Sequence, residues 1–173
     1  MGDLSNLRDD AFWDAPTQEP LIAGRQAGKQ RKRREYKERV ETRGRARALQ
    51  ALYAADMRDF TQLKRIASQV FDDLSILPEE RVFASQLITT VAEHGAELDK
   101  ALTDVTENWR FERLGAIERS VLRVAAAEFQ RDDAPVKVIL QEAIRLAERF
   151  GTERSARFVN GVLDAYARRL GKL

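Results

Sequence analysis

The chain has 173 residues, 43% of them hydrophobic, with no cysteine and a single histidine. That length supports one sizeable core plus an arm, and the missing cysteines exclude disulfides, thiolate metal sites and cysteine nucleophiles. The net charge is only +2, yet residues 24–47 carry eleven Lys/Arg against three Glu and residues 1–23 are acidic, a segregation that points to a polyanionic partner held at one place.

Residues 1–24 mix acids with Gly2, Pro16, Pro20 and Gly24, show no period and read as disordered. No apolar run approaches the roughly 18 residues of a membrane span, and "MGDLSNLRDD" lacks a basic-then-apolar leader. A soluble, cytoplasmic protein with no membrane partner is expected. The following "KQRKRREYKERVE" offers Glu35–Arg39 and Lys37–Glu41 as i,i+4 pairs, so it can extend a helix backward. Gly44 argues against a rigid continuation, and a frayed or partly helical arm that orders on RNA is the expectation. The domain reading is thus an N-terminal extension over 1–41, acidic over 1–23 and basic over 24–41, followed by an all-helical domain over 42–173.

From Thr42, a plausible N-cap, the pattern is helical almost without interruption. "TRGRARALQALYAADM" spaces Leu49, Leu52, Tyr53 and Met57 toward a core. Arg43, Arg47 and Gln50 share a face away from Leu49 and Leu52, and Arg45 projects elsewhere from the first turn. In "DFTQLKRIASQVFDDL", Phe60, Leu63, Ile66, Ala67, Val70, Phe71 and Leu74 recur at three and four. Pro78, with Glu79 and Glu80 behind it, opens a helix that Gly95 is expected to stop. A short helix with Leu98, Leu102, Val105 and Trp109 follows, then "GAIERSVLRVAAAEFQR" with Ile117, Val121, Leu122, Ala125 and Phe129. Asp132, Asp133 and Pro135 break the chain before "VKVILQEAIRLAERFG", which Gly151 ends. The last helix carries Val159, Val162, Leu163, Tyr166 and Leu170. Seven helices with short connections describe an all-α bundle. Asn160-Gly161 would ordinarily mark a turn, but the apolar spacing runs through it. A mid-helix glycine there implies close approach by a neighbouring helix or by a ligand, helix packing being the ordinary explanation, and Asn160 is either a buried group needing partners or an exposed one that reads something.

No reaction centre emerges. His94 falls at an expected helix end, where a cation suits the dipole, and the acids are scattered, so neither a catalytic group nor a metal site assembles. No phosphate loop, dinucleotide fingerprint or nucleophile elbow is present. The chain reads as neither an enzyme nor a cofactor binder. The basic helix start has a function in reach: arginine forks bond phosphates and stack on bases, and a helix N-terminus adds free N–H groups. Arg43, Arg45 and Arg47 therefore suit RNA, against the plainer reading of a solvated, salt-sensitive face. Tyr53 is either a stacking residue or core.

"RGRARALQALYAADM" together with "WRFERLGAIERSVLRVAAAEFQRDDAPVKVILQEAIRLAERFGTERSARFVNGVLD" closely resembles the bacterial transcription antitermination factor NusB family, over about residues 43–168. The resemblance implies a seven-helix bundle in two helical subdomains, without cofactor or catalysis, that pairs with the ribosomal protein NusE. The pair grips boxA-type RNA within the antitermination complex on RNA polymerase and serves ribosomal RNA transcription. RNA contacts map by resemblance to Arg43, Arg45, Arg47, Gln50 and Tyr53, to Lys137 in "APVKV" and to Phe158 in "RFVNGVLD". Glu118 and the segment before it map to the NusE-facing side. Arg154 in "GTERS" stands where an acid is common in the family, and residues before the arginine-rich start form an unusual extension. Extra charge at Arg154 and at Arg31, Lys32, Arg33 and Arg34 is expected to strengthen RNA binding and loosen its sequence preference. The acidic residues 1–23 could fold back on the basic stretch as an RNA mimic, or form a tail without effect. The competing reading is a helical protein-interaction module, or a homodimer that hides the arginine face, without specific RNA binding. A NusB-like targeting domain of an RNA cytosine methyltransferase is disfavoured, because cysteine chemistry is absent. Charge reversal of Arg43 and Arg47 is expected to abolish RNA binding with the fold intact.

Overall fold

Apolar residues at three- and four-residue spacing fold, among the described residues, into six α-helices. The computed structural model describes residues 27–106 and 109–173, with side chains from residue 40 onward. The elements are α1 (Ala27–Met57), α2 (Leu63–Asp73), α3 (Pro78–Val105), α4 (Ala116–Arg131), α5 (Val136–Phe150) and α6 (Glu153–Arg169). Short 3₁₀ turns at Phe60–Gln62 and Phe111–Arg113 lead into α2 and α4, and no strand occurs among the described residues. Arg39–Leu173 form one compact unit.

The boundaries have local causes. The Asp59 carboxylate accepts the Thr61 N–H at 3.0 Å and opens the first 3₁₀ turn. Pro78 sits in the first turn of α3 with Glu79 and Glu80, acids placed where the helix dipole favours them. At the end of α4, Asp132 takes a left-handed conformation (φ 57°) that Asp tolerates better than most residues. A capping box opens α6: the Ser155 N–H donates to Thr152 Oγ1 at 3.2 Å, and the Thr152 N–H donates to Ser155 Oγ at 3.0 Å. Helix α4 is the hub. Every residue from Ser120 to Phe129 is buried, and α4 packs against α3, α5 and α6.

Among the described residues six helices replace the expected seven, because α3 runs straight through Gly95. Val91, Leu98 and Leu102 are buried on either side of it, so continuous core packing outweighs the roughly 1 kcal/mol that a mid-helix glycine costs. His94 is consequently a mid-helix residue, its Nδ1 3.6 Å from Glu97 Oε2, and not a helix-end cation. Thr42 is no N-cap, since α1 passes through it. Gly44 serves close approach instead of breaking the helix: a Cβ there would stand 2.6 Å from Phe83 Cδ1. Three residues expected to face the core, Met57, Trp109 and Leu170, are exposed. Trp109 lies beyond the end of α3, so helical spacing does not govern it.

Thr152→Ala should lower stability by about 1 kcal/mol, the usual cost of a lost N-cap. Ser155→Ala should cost more, because the Ser155 hydroxyl also donates to Glu118 Oε1. Urea denaturation checks both, and equal midpoints for the two variants would contradict the shared role of Ser155.

Candidate nucleic-acid interface

The arginine-rich start of the globular part of α1 is built into the protein more deeply than its charge suggests. Arg45 is 2% exposed. Its Nε lies 3.0 and 2.9 Å from the two Glu128 oxygens, its Nη2 donates to Glu128 Oε1 at 2.6 Å, and its Nη1 lies 3.7 Å from Glu142 Oε2. The guanidinium also sits 5.3 Å from the centre of the Phe83 ring. One side chain of α1 thereby ties α4 to α5. Burial alone would push the Arg45 pKa down, but the hydrogen bonds and charge of Glu128, aided by Glu142, outweigh it and leave it raised. Burial raises the Glu128 pKa, against the opposing pull of Arg45 and with a smaller push from the second carboxylate at Glu142.

Arg43 and Arg47 share a different acid. Arg43 Nη1 and Arg47 Nε each lie 3.4 Å from an oxygen of Glu80, which is itself 2% exposed. Arg47 Nη1 donates to Gln50 Oε1 at 3.3 Å, and Gln50 is buried. Both arginines keep an exposed edge, whereas Arg45 and Gln50 do not. The structure thus brings Arg43, Arg47 and Gln50 together as their spacing implies, but it turns Gln50 and Arg45 inward. Reversing Arg43 and Arg47 would therefore not spare the fold, contrary to the sequence-based expectation. A carboxylate in place of either would face the buried Glu80 without compensation.

Tyr53 is half-buried on α1. Lys137 in the first turn of α5 and Arg154 in the first turn of α6 are exposed, as is Asn160. Phe158 is half-buried and meets Trp109 edge to face, with ring centres 6.0 Å apart. Glu118 is half-buried, and its Oε1 accepts the Ser155 hydroxyl at 2.5 Å, tying the start of α4 to the capping box of α6. Gly115 makes room for it, since a Cβ there would collide with the Glu118 carboxylate. The side chains of Arg31, Lys32, Arg33 and Arg34, and all of residues 1–23, lie outside the described residues.

A second ionic cluster had no sequence expectation attached to it. Arg123 of α4 donates from Nε and Nη2 to Asp99 of α3 at 2.9 and 2.8 Å and from Nη1 to Asp56 of α1 at 3.1 Å. Its guanidinium carbon is 4.2 Å from the Phe60 ring centre and 5.3 Å from that of Phe111. Arg119 Nε donates to Asp56 as well, at 3.0 Å. A signal was present for both clusters: Arg123 and Glu128 stand inside the otherwise apolar "SVLRVAAAEF", and a charge on a buried stripe demands a buried counter-charge. Among the described residues no group of three or more His, Cys, Asp or Glu is placed to hold a metal, and no helix is long and apolar enough to cross a membrane.

Arg45→Met would leave Glu128 buried without its guanidinium, at a cost of about 3–5 kcal/mol at neutral pH. The folded-state pKa of Glu128, already raised, then climbs further above its unfolded value. Stability present at low pH is therefore lost as pH rises through the folded pKa. Urea midpoints of this variant, measured relative to the unsubstituted protein, should fall as pH rises above the ordinary carboxylate range. Arg45→Met with Glu128→Gln should show no such fall and should regain most of the loss.

The comparisons with known proteins agree with this architecture. The family model described as "NusB family" matches residues 42–168. The transcription antitermination protein NusB of Anaeromyxobacter dehalogenans (strain 2CP-1 / ATCC BAA-258) is 42% identical over 135 residues, covering 73% of this chain and 89% of that protein. The T. maritima NusB structure superposes with a TM-score of 0.68 at 32% identity, covering 74% of this chain and 90% of that one. A chain from a crystal structure of the antitermination factors NusB and NusE in complex with dsRNA gives a TM-score of 0.68 at 26% identity, over 76% of this chain and 98% of that one. With residues 42–168 matched by the family model and with relatives above 30% identity over most of the chain, the chain belongs to the NusB family of transcription antitermination proteins.

Proposed function

We propose that this chain is an RNA-binding antitermination factor that pairs with a NusE-type ribosomal protein, binds boxA-type RNA and supports ribosomal RNA transcription within the antitermination complex on RNA polymerase, in the cytoplasm. The observation that carries this reading is the match of the helical body to nearly the full length of a chain crystallised as part of a NusB–NusE–dsRNA complex. The RNA-facing set is then Arg43 and Arg47 at their exposed edges, Tyr53, Lys137, Arg154 and Phe158. Arg45 and Gln50 act as positioning residues behind it, because their polar atoms are engaged inside the protein. Glu118, at the α4 start, belongs to the NusE-facing side. The basic run Arg31, Lys32, Arg33 and Arg34 supplies further phosphate contacts, and the acidic residues 1–23 compete with RNA for it.

Charge supports this division of labour. Arg43, Arg45 and Arg47 are matched by Glu80, Glu128 and Glu142, so the arginine motif is internally neutralised to a large degree. Long-range attraction for RNA must come from cations that are not committed in this way, and Lys137 and Arg154 are exposed at helix starts, where free N–H groups add to the positive field.

Lys137→Glu and Arg154→Glu should each weaken binding of a boxA-type RNA, measured by anisotropy with and without the NusE partner, while shifting stability by less than about 0.5 kcal/mol. Removing one cation–phosphate pair should reduce the log–log salt slope by about 0.7 for a single strand. Replacing Arg31, Lys32, Arg33 and Arg34 by Gln should lower that slope too and sharpen the preference for boxA over scrambled RNA, and removing residues 1–23 should raise affinity at low salt. A protein that binds the NusE partner normally but shows no salt-dependent RNA binding would support the protein-only module instead.

A further inference from the structure

Gly161 lies in the middle of α6 and faces solvent, and a Cβ built on it would meet no atom within 4 Å. An exposed mid-helix glycine weakens a helix relative to alanine, and among the described residues no helix packs into the room it leaves. That room belongs to a cleft of about 280 Å³ between α6 and the segment after α3, lined by Val105, Thr106, Trp109, Arg157, Phe158 and Gly161. The cleft is smaller than the roughly 300–1,000 Å³ of drug-sized sites, so it suits a single planar ring.

Trp109 forms its rim. The indole is 59% exposed, although its backbone is pinned: the Trp109 N–H donates to the Thr106 carbonyl at 3.0 Å, and the Thr106 hydroxyl lies 3.0 Å from the Trp109 carbonyl. Phe158 meets the indole edge to face, with planes 70° apart, which braces the ring without covering it. One cation lines this aromatic corner, and two more are its neighbours along the chain. Arg157 lines the cleft, and its link to Glu153 is a 3.7 Å contact between two highly exposed side chains, which competes weakly with another anion. Arg110 adjoins Trp109, and Arg154 lies one turn before Phe158 on α6, both exposed.

We propose that the cleft between Trp109, Phe158 and Gly161 binds one unpaired nucleobase, which stacks on Trp109 over the bare α6 backbone at Gly161 while Arg157 meets an adjacent phosphate. A pinned aromatic surface with arginines at its margins is the arrangement that holds single-stranded RNA through stacking and backbone charge. An apolar side chain of a protein partner would fill the same volume but would gain nothing from the arginine margin. The inference rests on the RNA-binding reading above, adds Trp109 and Gly161 to its contact set, and assigns the open backbone at Gly161 to ligand approach.

The test uses the full chain with Trp13→Phe, which leaves Trp109 as its sole tryptophan, and a short single-stranded boxA-type RNA. Trp109 emission should be quenched in step with binding followed by anisotropy of a labelled RNA. Trp109→Ala should weaken RNA binding by roughly 5- to 100-fold, as for loss of one stacked base. Gly161→Ala should raise the melting temperature by about 2–4 °C through helix propensity, so that a fold defect cannot explain a loss. Gly161→Leu should weaken RNA binding and abolish quenching at a melting temperature no lower than that of the parent. RNA binding that persists without quenching and is unaffected by Trp109→Ala and Gly161→Leu overturns the nucleobase site alone. Failure of any RNA to bind overturns both readings, and loss of NusE binding at unchanged RNA affinity assigns the cleft to protein and overturns it.

Discussion

The guanidinium of Arg45, shared between Glu128 and Glu142, is the contact on which the arrangement of α1, α4 and α5 depends. Neither charge has access to water, so each is tolerated only in the presence of the other and only with hydrogen bonds in good geometry. The three Arg45–Glu128 contacts at 2.6–3.0 Å meet that requirement. A register error of one residue in α1 would carry Arg45 about 100° around the helix and leave two buried carboxylates facing apolar side chains. The pair therefore acts less as a source of net stability than as a penalty on every alternative packing of α1. Gly44 adds to this selectivity from the steric side, since Phe83 occupies the space of its missing side chain and also lies beneath the guanidinium of the next residue.

The opposite end of the same helix repeats the device with the signs exchanged. There α1 contributes the acid, Asp56, and α4 contributes the cations, Arg119 and Arg123, with Asp99 of α3 as the second carboxylate. Helix α4 thus carries Arg123 and Glu128 five residues apart in a buried run, each pairing with α1. The native pairs Arg45–Glu128 and Asp56–Arg123 run antiparallel, and parallel mispairing of α1 and α4 would set Arg45 against Arg123 and Asp56 against Glu128. Like charges in a low-dielectric interior would repel strongly, so the two clusters together define direction as well as register.

Periodicity made most of the fold readable, because amphipathic stripes such as Leu63, Ile66, Ala67, Val70 and Phe71 depend only on local spacing. What it could not supply were facts set by distant partners. Gly95 looks like a stop until Leu98 and Leu102 are seen continuing the buried stripe of α3, and Trp109 looks like the next core residue until the helix ends before it. The site was less readable than the fold for the same reason. Arg43, Arg45 and Arg47 are chemically alike in the sequence, but Arg45 faces two acids that lie more than eighty residues away along the chain, and nothing local distinguishes it from its neighbours. The sequence does hold the clue in reverse: Glu128 and Arg123 sit among apolar residues, and their unmet need for counter-charges forecasts that some charged residues elsewhere are structural.

The arginines of α1 therefore differ in placement, and the geometry separates them. The inward member secures α1 to the bundle, and the partly exposed members, Arg43 and Arg47, share one buried acid between them. The shared contact with the buried Glu80 fixes where the exposed edges of both side chains lie. In the proposed RNA-binding role this placement would matter, because a phosphate meeting pre-positioned guanidinium groups does not have to offset the entropy of ordering long side chains. The internal acids do more than offset the charge of the motif: they fix where the exposed edges of Arg43 and Arg47 are displayed.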